Sequence, residues 1–335
     1  MSSFGYTVLG FGAHPNRTTT TPSPYVSFAA INSLSLDSDF ATLETSSSTF
    51  SNSCFMAVGP TELITGLAGT VNLGGSNYNL VQHNYDTSTT LSTSIQGPLG
   101  GADYAEDASG NPQTSIRGGC YSYNGDYLYI AGQGGSNRVI RFDLAIPYQL
   151  GSVSSQANTV TLGSAMDALQ GIAILGDGTK FFAMRSTSGA VGQVIEYALS
   201  TPYDLTTRSV TRTVNAAYTG NLSGGFCMDI AIAPDGSSFI IGSVGGSGAA
   251  GYQTILDQWP ITNGDISPIS GSTGRISVNF SKNLSNTYDS VGDDSDTYSQ
   301  AFNFNPTGDA LLLSGVHEDD GPSGTSNQWH VTRWS

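Results

Sequence analysis

A chain of 335 residues with 11 basic against 26 acidic side chains carries a formal net charge of −15, a sign that repels phosphate backbones and anionic membranes through the field of the whole molecule. Nucleic acid is thereby excluded as a partner, and because no run approaches the ~18 apolar residues of a spanning helix, membrane insertion is excluded too. Charged residues make up 11%, against about 25% in an ordinary soluble domain, and the Gly, Ser, Thr and Asn that fill the gap favour turns and polar strands over helices.

The start places Phe4, Tyr6, Val8, Leu9 and Phe11 among three glycines. This segment lacks the basic region of a signal peptide, and it holds too much apolar surface for water with too little regularity for a core. Asn16-Arg-Thr-Thr-Thr-Thr-Pro-Ser-Pro24 follows, and its β-branched threonines and prolines favour an extended chain. Residues 1–24 therefore read as an arm and linker, and residues 25–335 as one repeat-built domain. An extended apolar segment can add itself to the sheet edge of another protein, so Phe4, Tyr6, Val8, Leu9 and Phe11 are the expected attachment residues. The competing reading makes this run a strand of its own domain.

Residues 25–48 alternate well enough to supply one or two strands but hold no complete unit. Complete units begin near Cys54, and residues 171–207 show the pattern most clearly. Two short β-branched or aromatic runs meet at Asp177-Gly178, a pair that supplies the positive φ values of a tight hairpin; a third strand follows at Val194–Leu199. Matching turns fall at Gly125, Gly236 and Gly308, at intervals of roughly 50–70 residues, with a less regular one at Gly59-Pro60. Downstream of each stands an aromatic: Tyr85, Phe142, Tyr197, Trp259 and Trp334. The two best-matched units share a tail, Leu144-Ala-Ile-Pro-Tyr148 beside Leu199-Ser-Thr-Pro-Tyr203, leading to fourth strands near Asn158–Leu162 and Arg208–Val214.

A recurring four-stranded unit is the signature of a β-propeller blade, which cannot bury both faces alone and stacks on its neighbours. The last unit stops at Ser335, just after its third strand, so a strand from residues 25–48 is expected to complete it. The fold class is thus all-β, a propeller of five blades, or six if residues 25–48 belong to another degenerate blade. The aromatics are expected to pack between adjacent sheets.

Chemistry is sparse. Cys54, Cys120 and Cys227 are an odd, widely spaced set and read as buried free thiols. The histidines, His14, His83, His317 and His330, are too scattered for a metal site, and His317-Glu-Asp-Asp-Gly321 lacks the second histidine of a zinc-protease helix. Asp177-Gly178 and Asp235-Gly236 depart from the Asp-box of sialidase-like propellers and serve as turn formers. No nucleophile elbow or phosphate loop is present, so no catalytic residue is assigned.

One constellation survives. Strand order puts the first-to-second turns of a propeller on one face and the second-to-third loops and blade links on the other. That second face collects the longest inserts: 97–117 with Asp103, Glu106 and Asp107; 282–299 with Asp289, Asp293, Asp294 and Asp296; and 315–328 with Glu318, Asp319 and Asp320. Loops on a rigid scaffold are where binding concentrates, so these acids are the candidate ligand residues, for a polar ligand or glycan, or for calcium, whose hard oxygen ligands they supply. The spacing does not follow the Asp-x-Asp-x-Asp-Gly loop, and plain solvation is the competing reading.

The opening Phe4-Gly-Tyr-Thr-Val-Leu-Gly-Phe-Gly12 resembles the start of structural proteins of tailed bacteriophages, marine ones in particular. Leu199-Ser-Thr-Pro-Tyr-Asp-Leu-Thr-Thr207 resembles blade-end phrases of propellers in phage and bacterial surface proteins. The resemblance implies a non-enzymatic virion surface component, a capsid decoration or a tail or fibre propeller, assembled in the host cytoplasm. Its partners would be other virion proteins, reached through the arm, and a host surface glycan; a homo-oligomer is compatible with it. Two alternatives stand beside it: a polysaccharide-degrading propeller, whose acids would come from the acidic face, and a bacterial surface binding module.

Overall fold

The computed structural model describes residues 30–39, 53–73, 76–85, 91–92, 115–133, 137–163, 169–187, 191–216, 226–245, 253–280, 298–319 and 326–335. They form five antiparallel sheets of four strands. After β1 (Leu36–Asp39), blade 1 holds β2 (Ser53–Val58), β3 (Glu62–Leu73), β4 (Ser76–Tyr85) and β5 (Leu91–Ser92). Blade 2 holds β6 (Ser115–Tyr121), β7 (Tyr127–Gln133), β8 (Arg138–Leu144) and β9 (Val153–Thr161). Blade 3 holds β10 (Leu169–Ile174), β11 (Lys180–Thr187), β12 (Val191–Leu199) and β13 (Arg208–Ala216). Blade 4 holds β14 (Phe226–Ile232), β15 (Ser238–Gly245), β16 (Gln253–Pro260) and β17 (Ile276–Asn279). In blade 5, β18 (Tyr298–Phe304), β19 (Leu311–Asp319) and β20 (Ser326–Trp334) are completed by β1, in the order β1-β20-β19-β18. The first strands stand side by side around the axis, with β18 returning to β2. The molecule is a five-bladed propeller.

Closure follows the expected route. Leu36 pairs with Trp334 and Asp39 with Thr332, while Ser35 and Ser335 exchange backbone hydrogen bonds of 3.0 and 3.1 Å. The 3₁₀ turn Ile31–Ser33 ahead of β1 stands where other blades carry the connection from third to fourth strand, with 3₁₀ turns at Leu150–Ser152, Leu205–Thr207 and Ser267–Ser270. Each buries one aliphatic side chain: Ile31, Leu150, Leu205 or Ile269. β1 thus gives blade 5 its fourth strand and leaves β20 paired on both sides.

Apolar side chains fill the spaces between blades. Separate clusters unite blades 1 and 2 around Phe55 and Phe142, 2 and 3 around Tyr129 and Tyr197, 3 and 4 around Phe239 and Trp259, and 4 and 5 around Phe302 and Trp334. Four of the expected aromatics are therefore buried between sheets. The fifth place differs from expectation: Leu63 pairs with His83 as Leu128 pairs with Phe142 and Phe181 with Tyr197. Tyr85 lies two residues further on, so the ring in blade 1 is an imidazole.

The residue before each ring is polar, and in three blades it bonds to the following blade. Gln82 Oε1 accepts from Leu150 N at 2.7 Å, Gln258 Oε1 from Ile31 N at 2.8 Å, and the Arg141 guanidinium donates to Tyr203 O at 3.1 Å. The first two bonds satisfy N–H groups that the 3₁₀ turns at Leu150 and Ile31 leave orphaned, and the third ties Arg141 to the corner of the next blade. Near the axis the first strands converge, and small residues stand there: Ala57, Cys120, Ala173 and Ala231, with Gly118 against Gly171, whose Cα a Cβ at Gly118 would meet at 3.0 Å. Each first strand also carries a β-bulge at the same level, just before Phe55, Gly118, Gly171, Asp229 and Ala301, and a bulge sharpens local twist.

The hairpin turns correct one expectation. Only the glycine takes positive φ, 75° at Gly125, 70° at Gly178, 71° at Gly236 and 78° at Gly308. Asp177 does not; its Oδ1 instead accepts from the backbone N–H of Thr179 at 2.9 Å, as Asp235 does from Ser237 at 2.8 Å. The aspartates act through side-chain hydrogen bonding rather than through left-handed backbone. The Cys120 thiol is free and buried; the Cys54 and Cys227 side chains lie outside the described residues.

Candidate functional site

Strand direction sorts the connections onto two faces. The first face carries the strand-one-to-two turns and the three-to-four connections; the second carries the two-to-three loops and the links between blades. The arm residues Phe4, Tyr6, Val8, Leu9 and Phe11 lie outside the described residues, as do Asp103, Glu106, Asp107, Asp289, Asp293, Asp294, Asp296 and Asp320, and with them the calcium reading. Glu318 and Asp319 are placed by backbone alone. They end β19, paired with Asn327 and Ser326, so the insert expected over 315–328 shrinks to 320–325: its ends continue the ladder.

Near the axis the one buried carboxylate of the ring of bulges is Asp229, 1% exposed. Burial drives its pKa well above the ordinary 3.8, opposed by hydrogen bonds from the backbone N–H groups of Ile230 and of Phe302 in the next blade. Burial, and then the Asp229 charge, push the Cys120 thiol upward as well, which leaves it a protonated, inert group. Where the first strands end, a cavity of about 50 Å³ between Ser122, Gly176, Pro234 and Asn305 has room for a few water molecules. Neither feature presents a solvent-accessible acid–base pair.

A larger opening lies on the first face between blades 3 and 4, and its origin is a break in the repeat. In blade 2 the three-to-four connection turns through Ile146-Pro147-Tyr148-Gln149, in blade 3 through Thr201-Pro202-Tyr203-Asp204. Tyr148 and Tyr203 sit at φ 62° and 65°, a proline followed by positive φ being the type II pattern. Each donates its N–H to the turn glycine of its blade, Gly125 at 3.0 Å and Gly178 at 2.9 Å. Each ring lies on that glycine so closely that a Cβ there would meet ring carbons at 2.5 or 2.6 Å. The phenols donate to the carbonyls of Tyr123 and Gly176. Ring and hydroxyl together seal the corner against the preceding blade.

Blade 4 reads Thr262-Asn263-Gly264-Asp265 instead, with Asn263 and Gly264 at φ 55° and 69°, the type I′ pattern of an Asn-Gly turn. Gly264 stands in the place of Tyr203. The following Asp204 and Asp265 each accept from the N–H two residues on, at 2.9 and 2.8 Å, and the carbonyls of Tyr203 and Gly264 each take a donor from the preceding blade. Without a ring, a cleft of about 310 Å³ remains.

Phe182, Ile232 and Ile266, all buried, give the cleft an apolar floor; Leu175 and Ile261 flank it, and Asp177 and Asp235 stand at its mouth. The Lys180 ammonium donates to Glu196 Oε1 at 3.0 Å and to Gly264 O at 2.9 Å, so the amine is committed to structure. Glu196 is 3% exposed, and it also accepts from Thr211 Oγ1 at 2.9 Å. This is binding chemistry: an apolar slot with acidic lips and a backbone acceptor, Pro234 O, to which no described residue donates. Sequence reading passed over it, although the change from Thr-Pro-Tyr-Asp to Thr-Asn-Gly-Asp was its signal.

No protein-family model and no curated protein matches the sequence. Solved structures resemble the chain in overall build. A thermostable family-43 glycoside hydrolase is 10% identical over 88% of this chain and 91% of its own, with a TM-score of 0.49. A 6-phosphogluconolactonase candidate from Bacteroides uniformis is 17% identical over 83% and 70%, at 0.37. A protein from Lactobacillus plantarum is 10% identical over 85% and 88%, at 0.42. At such identities neither named activity transfers to this chain.

Proposed function

We propose that this chain is a non-enzymatic surface protein of a tailed-bacteriophage virion, held to the particle through its N-terminal arm and presenting its second face outward. One observation carries the reading. β1 runs antiparallel to β20, so the chain enters the ring at Ala30 on the first face, while the strands flanking 93–114, 281–297 and 320–325 end and begin on the second. The arm and the acidic inserts therefore leave from opposite faces, as an anchor and a contact surface would. The resemblance of residues 4–12 to phage structural proteins points the same way. The outward acids suit a polar ligand such as a host envelope glycan.

Mass spectrometry of purified particles tests the proposal. The protein should be found on virions, in hundreds of copies for a capsid decoration or at most a few dozen for a tail or vertex structure. A chain lacking residues 2–20 should fold yet fail to join particles. Recovery of the truncated chain at normal copy number would sink the attachment reading, and release of reducing ends from host glycans would sink the non-enzymatic one.

A further inference from the structure

The cleft between blades 3 and 4 has the shape of a missing tyrosine. Its two counterparts are each filled by a ring on the turn glycine and a phenol on the carbonyl two residues before that glycine. By the same register, Gly236 and Pro234 O are the waiting partners in blade 4, and a Cβ at Gly236 would meet only Leu175 Cδ1, at 3.0 Å. An apolar slot of this size on the surface calls for an occupant, and the repeat specifies its chemistry: an aromatic ring carrying a hydroxyl donor.

The geometry points to Tyr6 of the chain's own N-terminal arm as that occupant. The chain enters the ring on the same face, at the neighbouring corner, where Ile31 N donates to Gln258. Adjacent sheets stand about 10 Å apart, whereas the residues from Tyr6 to Ala30 can span roughly 80 Å at about 3.3 Å each. Tethering at that distance gives an effective concentration on the order of millimolar, which favours the chain's own arm over that of a second copy. Charge agrees: residues 1–29 contain Arg17 and no carboxylate, and the mouth of the cleft is lined by Asp177 and Asp235. Of the aromatics in residues 1–24, Phe4, Tyr6 and Phe11, Tyr6 alone carries the hydroxyl; Tyr25 opens the segment assigned to the propeller domain. Seated there, the arm shields its apolar side chains until a binding partner competes for them, a property of the free chain that goes beyond attachment.

The test uses the full-length purified protein with a photoreactive benzoylphenylalanine at position 4, two residues from Tyr6. Irradiation should give intrachain crosslinks to Leu175, Pro234 or Ile261, in a yield unchanged over a hundredfold dilution. Tyr6→Ala and the slot-filling Gly264→Tyr should each lower that yield at least fivefold. Should Gly264→Tyr fail to fold, Leu175→Glu at the flank serves instead. Crosslinks elsewhere on the chain, crosslinks only between copies, no crosslinks, or yields untouched by the variants would each overturn the proposal. Because the readout needs no virion, it fails or succeeds independently of the particle assay.

Discussion

Replacing His83 by phenylalanine should exchange stability at neutral pH for stability in acid. The imidazole is wholly buried, desolvation lowers its pKa from 6.5 to about 3, and its Nε2 lies 3.0 Å from Thr65 Oγ1. In the unfolded chain it takes up a proton near its ordinary value. Its contribution to stability is therefore fully present above pH 6.5 and is lost progressively as the pH falls toward 3. Two units below 6.5, at pH 4.5, the loss amounts to about 2.7 kcal/mol at ~1.36 kcal/mol per unit. Phenylalanine, a ring like those at Phe142, Tyr197, Trp259 and Trp334, is free of that loss but strands the Thr65 hydroxyl at a cost of about 1 kcal/mol at every pH. The variant should be less stable than wild type at pH 7.5 and more stable at pH 4.5, with the curves crossing near pH ~6 on these same figures. Urea unfolding across that range reads the difference directly. Parallel curves would show that His83 is protonated in the fold or reaches solvent, and would refute the reasoning.

Asp229→Asn should act with the opposite sign. A carboxyl whose folded pKa is raised contributes stability in full below its ordinary 3.8 and loses it as the pH rises. The amide keeps the acceptor for Ile230 and Phe302, so the variant should melt higher than wild type at pH 8 and equal to it near pH 4; equal melting at pH 8 would contradict this. Closure is tested by two truncations. Removing residues 1–40 strips β1, the buried Ile31 and the Ser35–Ser335 exchange, worth on the order of 5 kcal/mol from area and hydrogen-bond terms, and should lower the melting temperature by roughly 10 °C or more. Removing residues 1–24 should change it by only a few degrees; similar melting for both would mean that β1 does not close the ring.

Much of the fold was legible because the blade leaves local marks: a glycine forced to positive φ, an aromatic opposite the second strand, and a Pro-Tyr tail. Closure by a strand from 25–48 was legible because that segment alternates like a strand yet has no hairpin of its own to pair with, and β1 is found beside β20. His83 was passed over because side chains two apart share a sheet face, so Tyr85 satisfied the same alternation, and only backbone pairing separates the two. The bulges escaped because one extra residue shifts a pattern of period two without changing its composition. The cleft escaped for a deeper reason: a missing side chain leaves no mark until the ring it replaces is known to seal a corner. As for the acidic inserts, composition named their carboxylates and strand order gave their face; neither fixes the distances between oxygens that a ligand would read.

The two faces differ in what a change of sequence disturbs. On the first face the turns are short and cross-bonded: Gly178 N donates to Leu175 O at 2.8 Å, and Tyr203 N to Gly178 O at 2.9 Å. An insertion there would break a turn, a ring seat and a blade-to-blade bond together. On the second face the strands end in connections whose lengthening costs only loop entropy, about 0.6 kcal/mol per doubling. The chain break at the blade 5 corner is the exception on the first face. Ile31 supplies from the N-terminal side the buried aliphatic that Leu150, Leu205 and Ile269 supply within continuous connections. The described ladder of this corner begins only at Leu36, after the Ile31–Ser33 turn, so here the chain enters the first face without a continuous third-to-fourth connection to keep intact, which suits that corner to carry an arm.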